Sequence, residues 1–282
     1  MSKLAWPKGL SLSFFTDKSF VVHGMEPDVL TKVKEHGFEV VELSFSHDDY
    51  FDLMKLNDKK QVENTKAAVE AAGLKIWSLH LPFGHVWDVS LPNDQEVIRD
   101  FKILINASVQ LGAQVTVIHP SFEPIADEDR PSRLEKGKEN LRNLSDYAKE
   151  HGVRLGVENL PRSCLGNTSE EMCEILEACG ADWLFDTNHS LKEDNIHFLK
   201  HMLSKGHVPI SLHISDYDFI DERHDLPGCG INKWGEILNL LQKAGYKGPA
   251  MYEIRHLVSG KRIVSLDEVA DNIEDLLNGR IE

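Results

Sequence analysis

The sequence predicts an α/β fold, a single (β/α)8 barrel with its site at the C-terminal ends of the strands. Three observations predict it. Eight short apolar segments alternate with about eight amphipathic ones along 282 residues, which is the size and count of such a barrel and calls for a parallel sheet. Six of the apolar segments place metal-capable residues at the same relative position, just where each strand would end. No linker or low-complexity stretch divides the chain, so residues 1–282 read as one domain.

The segment VRLGVENLP, residues 153–161, carries the pattern most plainly. Its apolar, β-branched run turns polar at Glu158 and Asn159 and is broken by Pro161. A strand interior has no use for a charged Glu, whereas the open end of a parallel strand can aim one into a site. ADWLFDTNH ends in Asp186 and His189, VPISLHISD in His213 and Asp216, and GPAMYEIRH in Glu253, Arg255 and His256. LKIWSLHLP carries His80 and AQVTVIHPS carries His119 in the same way.

Taken in order, a first strand spans 10–15, and a helix over 27–36 has Pro27 at its start and Gly37 just past its end. The second strand, 38–45, carries Glu42, which faces the barrel mouth. Residues 58–72 set Val62, Ala67 and Val69 among Lys, Glu and Gln, an amphipathic helix stopped by Gly73. The third strand is 74–81. The helix over 93–111 gathers Val97, Ile98, Phe101, Leu104 and Ile105 on one face. A fourth strand, 113–118, precedes a helix over 132–150, and 153–161 forms the fifth. A helix over 168–178 opens on a Thr168-x-x-Glu171 capping box. The sixth strand contains 183–185 and leads to a helix over 193–204. The seventh is 208–214, with a helix over 233–244. The eighth is 248–254, and a helix over 266–277 closes the chain.

Composition bounds the function. The net charge is −15, and such a field repels phosphate backbones, so nucleic acid is disfavoured as a partner. The excess of acid also serves solubility. Four cysteines, Cys164, Cys173, Cys179 and Cys229, form no C-x-x-C pair. They read as reduced thiols of a cytoplasmic protein. Trp6-Pro7-Lys8-Gly9 interrupts any N-terminal apolar stretch, which argues against a signal peptide. No segment approaches the ~20 apolar residues of a membrane span. Asp127-Glu128-Asp129-Arg130 reads as a solvated loop.

The chemistry lies at the strand ends. Glu158, Asp186, His213 and Glu253 come from strands five to eight, so they are neighbours around the rim. Three carboxylates and one imidazole form a hard, oxygen-rich donor set that suits Mn2+, Mg2+ or Co2+ and admits Zn2+. Without a cation the alternative is a hydrogen-bonded polar mouth, which four converging polar groups would make costly. His80, His119, His189 and His224 lie beside these residues, at equivalent strand ends, or in a loop over the mouth. Each is either a substrate contact, an additional metal ligand, or a histidine satisfied by hydrogen bonds. Glu222 and Arg223 sit in the long loop after strand seven, DFIDERHDLPGCG, as residues that close over a substrate or as solvated charges.

The strings VENLP, FDTNH, HISD with a following Gly-x-Gly, and YEI, in that order, resemble the xylose isomerase-like TIM-barrel superfamily. The likeness runs from about residue 10 to 277. That superfamily holds sugar epimerases and isomerases, inosose dehydratase-type enzymes and endonuclease IV. The resemblance implies an enzyme of carbohydrate metabolism. In its ketose 3-epimerase branch one metal is held by Glu, Asp, His and Glu, positions that match Glu158, Asp186, His213 and Glu253 here, and His189 matches a substrate-contacting His. In the endonuclease IV branch further ligands build a three-zinc cluster. His80, His119, His189 and His224 match those, while Glu222 stands where that branch has Asp. The segment LPRSCLGNTSEE after Glu158 departs from the epimerases. Homo-oligomerisation is implied by the epimerase resemblance alone.

These readings converge on metal-dependent isomerisation or epimerisation of a ketose or keto-polyol through an enediolate, with Mn2+ the leading metal. Glu158 and Glu253 are the expected acid and base. The alternatives are a multi-zinc phosphodiesterase and a keto-polyol dehydratase. A sugar-binding barrel without catalysis is a further reading.

Overall fold

The computed structural model describes residues 3–16, 22–44, 55–92, 95–258 and 262–282. Short apolar runs form the strands β1 (Lys8–Ser11), β2 (Val40–Leu43), β3 (Lys75–His80), β4 (Val115–Ile118), β5 (Arg154–Glu158), β6 (Asp182–Asp186), β7 (Ser211–His213) and β8 (Ala250–Tyr252). They pair in the order β7-β6-β5-β4-β3-β2-β1-β8, parallel throughout. The sheet closes between its ends, where the Ile214 N–H donates to the Met251 carbonyl at 2.8 Å and the Glu253 N–H to the Ile214 carbonyl at 3.1 Å. The result is the expected (β/α)8 barrel.

Eight α-helices lie among the described residues: α1 (Pro27–Glu35), α2 (Lys59–Ala71), α3 (Gln95–Leu111), α4 (Arg130–Glu150), α5 (Ser169–Cys179), α6 (Asn195–Ser204), α7 (Trp234–Lys243) and α8 (Leu266–Leu277). None is long and apolar enough to cross a membrane. A two-stranded hairpin, β9 (Leu257–Val258) and β10 (Arg262–Ile263), follows β8. Asp58, Thr168, Asp194 and Ser265 cap the helices they precede by accepting backbone N–H bonds.

The helices bury their apolar stripes on the outside of the sheet, with Leu30, Phe101, Leu141, Phe198, Trp234 and Ile273 among the residues sealed there. A separate cluster of Val115, Val117, Leu184 and Ile210 packs with Trp77. Trp77 reaches from β3 to β7, donating its indole N–H to Ser211 Oγ at 3.1 Å. Because β3 and β7 are not neighbours in the sheet, this contact crosses the interior. Removing such side chains from water stabilises by about 1.5–3 kcal/mol each.

Several local expectations shift. The first strand ends at Ser11, where pairing with Glu42 of β2 stops, and residues Leu12–Phe15 form a 3-10 turn instead. Phe45 and Asn93, expected element ends, lie outside the described residues. Only the Thr168 half of the capping box forms. Glu171 turns away to accept from Arg130 Nη2 at 2.6 Å and from the Gly166 N–H at 2.7 Å. Arg130 is therefore not a solvated loop charge. It begins α4 and also donates to the Ser163 and Cys164 carbonyls at 2.8 and 2.9 Å, tying α4 to the loop after β5. The four cysteines form no disulfide.

Asp216 organises the long loop after β7. Its buried carboxylate accepts from the N–H groups of Tyr217, Gly228 and Asn232 at 3.1, 2.9 and 3.1 Å, and from the Trp234 indole at 3.1 Å. The loop passes so close that a Cβ at Gly230 would overlap the Tyr217 carbonyl oxygen and the Asp216 carboxylate. Gly230→Ala is expected to destabilise the protein by about 1–3 kcal/mol, the range for forced overpacking. Urea unfolding checks this, and a loss below about 0.5 kcal/mol, the scale of a neutral surface change, would contradict the crowding.

Candidate metal centre

The strands end in polar residues because the barrel mouth, unlike its walls, need not be apolar. Glu158, Asp186 and His213 are the last residues of β5, β6 and β7, His80 is the last of β3, and His119 and Glu253 follow β4 and β8 directly. The fold carries them into three donor groups, with the donor atoms of each group within 4.8 Å of one another. The first is His80, His119 and Glu158, the second Glu158, Asp186, His213 and Glu253, and the third His189, Glu222 and His224.

Glu158 belongs to two groups. Its Oε2 lies 3.3 Å from His80 Nε2 and 3.2 Å from His119 Nε2. Its Oε1 lies 3.0 Å from His213 Nδ1 and 3.3 Å from His189 Nδ1. In the second group His213 Nδ1 is also 3.2 Å from Glu253 Oε2. In the third, His189 Nε2 is 3.2 Å from Glu222 Oε1. Every candidate residue but one is thus in a group. Arg223 is the exception: its guanidinium donates to Asp225 at 2.7 Å and to Asp218 at 3.0 Å, away from the donor atoms.

The imidazoles are oriented as metal ligands are. A backbone carbonyl can only accept, so a ring nitrogen bonded to one must carry its proton. His80 Nδ1 donates to the Leu81 carbonyl at 2.7 Å, His189 Nδ1 to Asn159 at 3.0 Å, and His224 Nδ1 to Glu253 at 3.1 Å. In the neutral ring each therefore presents the Nε2 lone pair to its group, the arrangement that second-sphere carbonyls impose around metals. A lone pair facing a carboxylate at His80 and His189 needs a proton or a cation between the two acceptors. Asp186 Oδ2 adds to the case, being buried with no hydrogen bond. The donor set fits a divalent cation.

Electrostatics match the geometry. Burial would lower the His213 and His189 pKa values, but the surrounding carboxylates, Glu42, Glu253 and Glu158 at His213 and Asp186, Glu158 and Glu222 at His189, hold both well above the usual value. Burial would raise Glu158, yet the positive His213 and the bond from His119 hold it well below. Burial wins at Asp186, pushing it up to about 7. It also wins at His119 and His224, which are lowered.

Two asparagines that the residue types alone do not mark out hold this arrangement. Asn159 Oδ1 accepts from the Asp186 N–H at 3.0 Å and its Nδ2 donates to the Asp186 carbonyl at 2.9 Å, bracing β5 to β6. Asn188 Oδ1 accepts from the N–H groups of Arg223 and His224 at 3.0 and 3.1 Å. It holds His224 at φ +49°, a left-handed conformation that strains a non-glycine residue. Both asparagines sit inside the strings VENLP and FDTNH, and the adjacency to Glu158 and His189 is the signal that could have found them. Arg162, also left-handed at φ +50°, bonds Glu123 at 2.7 Å and Asp221 at 2.6 Å, with Glu222 Oε2 at 3.3 Å. It joins the loops after β4, β5 and β7.

The sequence profile described as xylose isomerase-like TIM barrel matches residues 30–275. An uncharacterized protein of Methanocaldococcus jannaschii is 28% identical over 264 residues, with 84% of each chain covered. Among solved structures, a D-tagatose 3-epimerase-like protein superposes with a TM-score of 0.75 at 21% identity, over 96% of this chain and 95% of its own. A D-psicose 3-epimerase from Clostridium cellulolyticum H10, solved with D-tagatose, gives a TM-score of 0.75 at 17% identity over 98% and 99%. At such identities the structural likeness is one of fold.

The carboxylates around His213 raise its pKa and so favour its doubly protonated form in the metal-free protein, whereas a ligating imidazole keeps a proton on one nitrogen only. Mn2+ binding at pH 7 is therefore expected to release protons. Affinity should fall as pH falls, about tenfold per pH unit for each proton displaced. Calorimetry in buffers of different ionisation enthalpy measures the release, and binding without it would contradict the assignment.

Proposed function

The chain belongs to the xylose isomerase-like TIM-barrel family, and on that premise we propose that it is a divalent-metal-dependent isomerase or epimerase of a ketose or keto-polyol. One observation carries the reading: two glutamates at the ends of different strands, Glu158 and Glu253, share a donor group with Asp186 and His213. These four would hold the metal, Mn2+ being the leading ion, and the cation when bound supplies Lewis-acid stabilisation of charge on a carbonyl oxygen.

The chain's own residues carry the proton. Glu158 is buried and Glu253 only half-buried, and both are held in the ionised form. Either one can therefore take the proton from the carbon next to a carbonyl, and the other, once it has gained a proton from water or a substrate hydroxyl, would return it to the opposite face, the first then losing its proton to solvent. His189, a member of the third group that also approaches Asp186 of the second, would orient a substrate hydroxyl. A small sugar or polyol is the partner this mouth suits, and a cytoplasmic location agrees with the free thiols.

A second reading has a specific observation in its favour. The first and third donor groups flank the second, and Glu158 is common to the first two. A multi-zinc site that cleaves a phosphodiester uses such an arrangement to stabilise both attacking and leaving oxygens. The net charge of −15 weighs against a nucleic acid substrate.

Replacing Glu158 or Glu253 by Gln should lower turnover by about 10²–10⁴-fold, the scale of a lost general acid or base. Deuterium uptake from D2O next to the carbonyl, across a panel of free and phosphorylated ketoses and keto-inositols with Mn2+, is the readout. Uptake that survives in both variants would defeat the mechanism. Metal content decides between the two readings: about one ion per chain supports the epimerase and about three the hydrolase, since the three donor groups can each hold one.

A further inference from the structure

We infer that Glu42 is a positioning residue: it decides which nitrogen of His213 faces the cation. The inference rests on the metal site proposed above. It starts from an asymmetry among the imidazoles. His80, His189 and His224 are tied at Nδ1 by backbone carbonyls. His213 is the reverse. Its Nδ1 faces Glu158 and Glu253 at 3.0 and 3.2 Å, and its Nε2 bonds Glu42 Oε2 at 3.1 Å.

Glu42 is otherwise hard to account for. It is completely buried, near the end of β2. Its Oε2 accepts from Ser78 Oγ–H at 2.8 Å and its Oε1 has no hydrogen bond. A buried carboxylate costs several kcal/mol unless a partner compensates it, and His213 is the charged group it meets. It belongs to none of the three donor groups, so it acts through His213. The pairing of β2 with β3 is irregular beside it. Val41 pairs with Ile76 but Glu42 pairs with Ser78, a register shift between Val41 and Glu42. Such irregularities re-aim side chains beside functional sites.

The chemistry follows from what a carboxylate can do. It accepts and does not donate, so it holds the His213 proton on Nε2 and leaves the lone pair on Nδ1 for the cation. Its negative charge makes that nitrogen a stronger donor, as a carboxylate behind a ligating histidine does. A glutamine could keep an acceptor there but not the charge. A leucine would leave a buried N–H without a partner and favour the tautomer whose Nδ1 is protonated, which cannot ligate.

Two measurements test this. In a calorimetric titration, Glu42→Gln is expected to bind Mn2+ about 10–100-fold more weakly than the wild type, and Glu42→Leu at least as weakly. In the wild-type protein loaded with Zn2+ and labelled with 15N-histidine, the His213 proton should be found on Nε2. A folded Glu42→Gln variant with unchanged Mn2+ affinity would overturn the inference while leaving the metal site intact. So would a proton on Nδ1, and that spectrum decides the matter even if neither variant folds. A wild type that binds neither ion would sink the metal site along with it.

Discussion

Glu158 ends β5 with both carboxylate oxygens engaged, Oε2 between His80 and His119 and Oε1 between His189 and His213. A carboxylate this deeply buried survives only if its charge is met on every side. Four imidazoles, from β3, β7 and the segments after β4 and β6, do so. The requirement explains why residues from separate strand ends converge, and why Asp186, with one oxygen left without a hydrogen bond, is pushed towards protonation. Burial keeps His119 and His224 disposed to be neutral, whereas the carboxylates around them raise His80, His189 and His213. The molecule as a whole carries a net charge of −15, which favours cations and repels phosphate backbones.

The loops are subordinate to that cluster. Asn188 and Asp216 shape the segment after β7, one gripping the backbone of Arg223 and His224 and the other folding residues 217–232 back against α7. Arg162 spans three loops above the mouth and meets Glu222, which itself touches His189. Backbone strain is confined to this region: Arg162, Phe219 and His224 are the non-glycine residues with positive φ among those described. Strain of about 1–3 kcal/mol at each is tolerated where surrounding bonds over-determine the conformation.

Much of the fold was legible from period and punctuation. Strands show in the sequence as apolar runs and helices as stripes such as Val97, Phe101, Leu104 and Ile105, and eight such units in alternation point to a barrel. Sequence pattern and structure differ at the ends of elements. Residues 12–15 are apolar enough for a strand, but no partner continues past Ser11, and a strand exists only where it is paired. Thr168-x-x-Glu171 fits a capping box, yet Arg130, distant in sequence, takes the glutamate.

The candidate site divides along the same line. Residue type and position at a strand's end, both local, determined Glu158, Asp186, His213, Glu253 and the supporting histidines, because the parallel sheet puts every such end on one face. Which groups these residues form, that Glu158 serves two of them, that Arg223 turns outward, and that Asn159, Asn188 and Glu42 hydrogen-bond to Asp186, His224 and His213 of those groups, only the tertiary structure decided. Those are facts of distance and hydrogen-bond direction between segments far apart in the chain. A side chain's chemistry limits what it can bond, but only the folded chain supplies the partner.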